Sequence, residues 1–156
     1  MTRLSLLAPL ALLACASAAT AATLDVIKTP TCGCCSIWIE RMKAAGFQVK
    51  ARDVSDTGPT AKAAGVPDRL RSCHTAKIGG YVIEGHVPAA DIKRLLAQKP
   101  KAVGLSVPGM VAGSPGMEMP GRSDRYQVML IQKDGKHKVW ATHGGSPPKH
   151  ADGHAH

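Results

Sequence analysis

Three cysteines stand within four residues, Cys32-Gly33-Cys34-Cys35, at the point where one local pattern gives way to another. Upstream, Leu24-Asp25-Val26-Ile27-Lys28 has the β preference of Val26 and Ile27 and reads as a short strand, which Thr29-Pro30-Thr31 breaks. Downstream, helix formers dominate from Ser36 to Ala45, with Trp38, Met42 and Ala45 on one face and Gly46 as the stop. A strand that feeds a helix through a thiol-bearing turn puts those thiols at a helix N-terminus. There, unpaired N–H groups and the macrodipole stabilise negative sulfur. Activated cysteines are therefore expected at 32, 34 and 35. This argument leaves open whether they exchange disulfides or hold a metal.

The start of the chain sets the compartment. Arg3 precedes an apolar run from Leu4 to Leu13, and the small residues Ala16-Ser17-Ala18 and Ala19-Thr20-Ala21 follow. This is the pattern of an export signal, too short for a resident membrane helix, and no other stretch is long enough to span. Residues 1–22 are read as a cleaved signal and the protein as exported to the periplasm. Leu12-Leu13-Ala14-Cys15 also resembles a lipoprotein cleavage box, which would anchor the chain by a lipid on Cys15. The plainer reading makes Cys15 an incidental small residue. Without Cys15, four cysteines remain: Cys32, Cys34, Cys35 and Cys73. Outside the cytoplasm an even set ordinarily means structural disulfides. Here three are crowded together, and adjacent Cys34 and Cys35 could pair only in a strained ring. The cluster looks like a site rather than a set of staples.

Further along, Phe47 to Val54 alternates as a second strand, Thr60 to Ala64 starts a short helix, and Cys73-His74 falls in an irregular stretch. Tyr81-Val82-Ile83-Glu84 is a strand. Gly85-His86-Val87-Pro88 leads into a helix with Ile92, Leu95 and Leu96 as its stripe, ending at Pro100. A Pro/Gly/Met-rich loop runs from Pro108-Gly109-Met110 through Ser114-Pro115-Gly116-Met117-Glu118-Met119-Pro120-Gly121. Tyr126 to Gln132 and Lys138 to Thr142 bracket a hairpin turn at Lys133-Asp134-Gly135-Lys136. The tail 144–156, with His150, His154 and His156, is polar and expected to be disordered. Strand and helix alternate in the order of an α/β, thioredoxin-like fold: a central mixed sheet flanked by helices, with the Pro/Gly/Met loop as an insertion. Only five aromatic residues are present, so Val, Ile, Leu, Ala and Met must fill the core. The net charge of +9 would suit a polyanion. With no long Lys/Arg block and few rings to stack bases, nucleic-acid binding is disfavoured.

Three chemistries compete for the cysteines. Cys32 and Cys35 have the C-x-x-C spacing of a dithiol exchanger, yet Cys34 inside the motif would trap mixed disulfides. A four-Cys zinc site is the second, but adjacent Cys34 and Cys35 fit poorly at two corners of one tetrahedron. The third is copper. Cys73-His74 adds a distant ligand pair, and the loops add His86, Met110, Met117 and Met119. This soft set of thiolate, thioether and imidazole suits Cu(I), and bridging thiolates would let one loop serve several ions.

The combination of Cys32-Gly33-Cys34-Cys35, Ser72-Cys73-His74-Thr75, Gly80-Tyr81-Val82-Ile83-Glu84-Gly85-His86-Val87-Pro88, Gly104-Leu105, Val107-Pro108-Gly109-Met110 and Ser114-Pro115-Gly116-Met117 resembles one family. These are the exported, thioredoxin-like, copper-associated proteins called CopG-like, long described as a metal-binding domain of unknown function. The resemblance spans Leu24 to His143. It implies copper binding and a role in copper resistance or handling in the bacterial cell envelope. Carried onto matching positions, it implies Cys32, Cys34, Cys35 and Cys73 as copper-site thiolates, with His86 and Met117 as further candidates. The expectation is a metal-binding domain over 23–143 that captures Cu(I), in a polynuclear site if thiolates bridge. Its partners would be copper ions and another envelope copper carrier or exporter. It would be neither an integral membrane protein nor, on this reading, an enzyme. The alternative is a periplasmic thiol–disulfide oxidoreductase using Cys32 and Cys35, coupled or not to copper redox.

Overall fold

A computed structural model of the chain describes residues 22–145. Cys15, the signal up to residue 21 and the tail histidines His150, His154 and His156 lie outside the described residues. The elements run β1 (Thr23–Lys28), α1 (Gly33–Ala44), β2 (Gln48–Asp53), α2 (Gly58–Ala63), a 3₁₀ turn (Asp68–Leu70), β3 (His74–Ile78), β4 (Tyr81–Glu84), α3 (Ala89–Gln98), β5 (Gly104–Ser106), β6 (Tyr126–Ile131) and β7 (His137–His143). They form one mixed sheet in the order β2-β1-β3-β4-β5-β6-β7, parallel at β1/β2 and β4/β5 and antiparallel elsewhere. The fold is α/β and thioredoxin-like, as the element pattern predicts.

Two strands differ from the sequence reading. Cys73-His74 does not lie in an irregular stretch: His74 opens β3, a central strand between β1 and β4. Four of its five residues are buried, so the alternation that betrays a half-exposed strand is missing. β5 is only three residues long and starts with glycine. A side chain at Gly104 would collide with the backbone of Val82 on the neighbouring strand, so the position excludes the β-branched residues that signal a strand.

The larger core joins Trp38, Ile39 and Met42 of α1 and Ile92 and Leu95 of α3 to sheet residues including Leu24, Val26, Ile83 and Leu130. A smaller one packs Ala61, Val66 and Leu70 against Val82 and Ile131. Val82 and Ile83 belong to different cores, as alternation along a strand requires. Aliphatic residues dominate both, as the scarcity of rings demands. Trp38 is fully buried and its indole N–H donates to the Val87 carbonyl at 3.0 Å, so its one polar atom is satisfied. α3 is tied to β7 by the buried Asp91, which meets His143 Nε2 at 2.6 Å and Arg94 at 3.2 Å.

Candidate metal centre

Topology assembles the cysteines. α1 begins at Gly33, earlier than the sequence reading, so Cys32 is its N-cap and Cys34 and Cys35 lie in its first turn. Antiparallel pairing of β1 with β3 sets His74 opposite Lys28, the last residue before the cysteine turn. That register delivers Cys73 to the helix N-terminus. Cys32 and Cys35 are joined as a disulfide across 5.4 Å between Cα atoms, while Cys34 and Cys73 are free thiols. Cys34 Sγ lies 3.4 Å from Cys32 Sγ, and Cys73 Sγ lies 3.5 Å from Cys35 Sγ. All four sulfurs fall within 4.8 Å of one another.

A second donor group overlaps the first. Cys73, His74 and His86 bring their ligand atoms within 4.8 Å of each other, so Cys73 belongs to both. His86 reaches it because Gly85 turns the chain after β4 with φ of 71°, at a place where a side chain would strike Ser72 and the Val107 carbonyl. His86 Nδ1 donates to the Pro115 carbonyl at 2.8 Å, which leaves Nε2 as the bare nitrogen, 3.0 Å from Cys73 Sγ. An imidazole oriented through its far nitrogen in this way is poised as a ligand. His74 is completely buried, its ring 4.4 Å from that of Trp38 and 5.1 Å from that of His86, with Nδ1 3.5 Å from Cys73 Sγ. Its Nε2 has no hydrogen-bond partner.

Burial governs the charges. It pushes the Cys73 thiol up to about 12, with the neighbouring Cys34 charge adding to the effect. Burial also lowers His74 to about 3 and His86 below its ordinary value. These shifts favour the uncharged thiol of Cys73 and the uncharged imidazoles of His74 and His86. Glu84, buried beneath, accepts from the Ser72 N–H at 2.8 Å and the Thr75 hydroxyl at 2.7 Å and so fixes the segment carrying Cys73. Its carboxyl is raised by that burial.

The Pro/Gly/Met loop folds over this assembly. Gly116 rests on the Cys34 carbonyl and the Trp38 backbone, and Glu118 accepts from the Gly116 N–H at 2.8 Å and pairs with Arg41 of α1 at 3.2 Å. Met117 follows Gly116 on this loop, half buried. Of the expected residues, the structure thus brings Cys32, Cys34, Cys35 and Cys73 together, joins His86 to them through Cys73, and sets Met117 on the covering loop. The sequence reading offered Cys73-His74 as a ligand pair but carried only Cys73 into the copper set. Glu84 was not singled out, and a lone acid in an apolar strand was the available signal.

The family described as "Protein of unknown function, DUF411" matches residues 70–117, which hold Cys73, His74, Glu84 and His86. Among curated proteins none matches the chain. A solved structure described as "Copper resistance protein copG- Form 2" is 42% identical, with a TM-score of 0.76, over 80% of this chain and 99% of that one. "Copper resistance protein copG- Form 1" is 43% identical, with a TM-score of 0.76, over 81% and 100%. The chain belongs to the CopG family. In this CopG-family chain the family description and the cysteine cluster meet at Cys73. No described helix is long and apolar enough to cross a membrane.

Proposed function

We propose that the protein captures Cu(I) in the cell envelope, through Cys32, Cys34, Cys35 and Cys73 with His86 as a nitrogen donor, for copper resistance, homeostasis or transfer. The observation that carries this reading is the gathering of four sulfurs within 4.8 Å at a helix N-terminus, in a chain whose solved relatives are described as copper resistance proteins. Thiolates are soft donors that select Cu(I) over hard ions, imidazole also suits copper, and sulfurs this close can bridge more than one ion. Met117 is a further thioether on the covering loop. The export signal supports a periplasmic location, and a second envelope carrier or exporter would receive the ion.

Capture by all four sulfurs requires the Cys32–Cys35 disulfide to be reduced, since copper and the disulfide compete for two of them. That same disulfide favours a second reading, an envelope thiol–disulfide oxidoreductase built on Cys32 and Cys35. Anaerobic titration of the reduced protein with Cu(I) against a calibrated chelator separates the two. Cys34→Ser lowers Cu(I) affinity if the cluster is a copper site. A variant with undiminished affinity and full disulfide-reductase turnover would transfer the assignment to the oxidoreductase.

A further inference from the structure

Cys73 is enclosed by Cys35, His74 and His86, and its remaining side opens into a cavity of about 380 Å³ lined by Asp68, Arg71, Ser72, Cys73, Gly109 and Met110. The cavity is built, not incidental. The Gly109 N–H donates to the Arg71 carbonyl at 2.9 Å, and the Ser72 hydroxyl donates to the Gly109 carbonyl. These two bonds zip residue 109 to residues 71 and 72, so the next residues, Met110 and Cys73, become walls of one space. Met110 is 60% exposed, a large apolar side chain left in solvent where core packing does not account for it.

We propose that this cavity is the port through which copper enters and leaves, with the Met110 thioether as the first sulfur the ion meets. The inference rests on the copper reading above. A neutral thioether holds Cu(I) weakly and lets it go, which suits relay rather than storage. Met110 donates a sulfur lone pair as the ligand of the incoming carrier departs. Cys73 then loses its proton to water as its own sulfur–copper bond forms and Met110 releases. Copper stays Cu(I) throughout, so no electron is gained or lost. Because Cys73 belongs to both donor groups, an ion accepted there can pass to the cysteine cluster or to the histidines.

The test is anaerobic stopped-flow transfer of Cu(I) from its bicinchoninate complex to the reduced protein, followed by the loss of the chelator's colour. Met110→Leu should slow transfer about tenfold, equivalent to ~1.4 kcal/mol on the barrier, with equilibrium affinity and stoichiometry unchanged. Met129→Leu, on β6 and outside this cavity, should load at the parent rate. Parent-rate loading by Met110→Leu, or equal slowing by both variants, overturns the port while leaving the copper site intact. Failure of the parent protein to take Cu(I) at equilibrium overturns the copper reading and the port together.

Discussion

The bare Nε2 of His86 stands 3.0 Å from the sulfur of Cys73, and it is bare because the other nitrogen of the ring is bonded to the carbonyl of Pro115. Cys73, just ahead of β3, and His86, just beyond β4, are thus oriented toward each other by a loop whose Pro115 lies 29 positions beyond His86. The relationship depends on that loop lying close to α1, and Gly116 is where it does so.

Gly116→Ala should therefore disturb the site without removing any donor. Its φ is 85°, and a Cβ would sit 2.7 Å from the Cys34 carbonyl and 2.8 Å from the Trp38 nitrogen. Relief requires the loop to lift, which stretches the Pro115–His86 bond. The expected loss is about 1–3 kcal/mol in denaturant unfolding, with weaker Cu(I) binding in chelator competition. Parent-like values in both measurements would mean that the loop does not orient His86.

Stability should fall as the solution is acidified, through His74. Burial holds this ring at about 3 in the fold against 6.5 for an exposed histidine. Between those values the unfolded chain binds the extra proton, so the native state loses about 1.4 kcal/mol per pH unit as pH drops. His86, lowered in the same sense, steepens the trend. Glu84 opposes it: burial favours its protonated form, so its contribution is present at low pH and lost as pH rises through its folded value. Urea midpoints for the metal-free protein between pH 4 and 7, compared with those of His74→Phe, isolate the effect. The variant should give a distinctly flatter profile, and an unchanged slope would show that His74 is not the group responsible.

Much of this architecture could be read from residue order, for reasons that also explain what could not. The strand–cysteine–helix junction shows because β1 and α1 are local and each has its own periodicity. The neighbourhood of Cys73 does not, because β3 is interior and its register against β1, 46 residues away at Lys28–His74, is a long-range fact. The donor types were legible as soft atoms in loops, and His86 was among them. The tautomer of His86, the packing of the His74 ring against Trp38 and the carboxyl of Glu84 under Ser72 depend on contacts between segments that no local pattern encodes.

Redox state should set copper capacity. As described, two of the four clustered cysteines are paired and two are free. Thiol labelling of protein lacking residues 1–22, under denaturing conditions, should count two thiols before reduction and four after it. The oxidised form should take up less Cu(I) than the reduced form in the same chelator competition. Equal uptake by both would mean that the paired sulfurs are not ligands.

The candidate donors ride on separate pieces of chain: Cys32, Cys34 and Cys35 at the N-terminus of α1, Cys73 ahead of β3, and His86 beyond β4. An ion held across them acts as a cross-link between segments that otherwise depend on packing and hydrogen bonds alone. Binding to the native state only adds stability by mass action, about 2.7 kcal/mol when free ligand is about a hundredfold above its dissociation constant. Lifetime then becomes a record of supply. On the copper reading, molecules without the ion would open more often and be cut first by proteases while loaded ones persist, so metal scarcity itself would thin the population that metal abundance preserves.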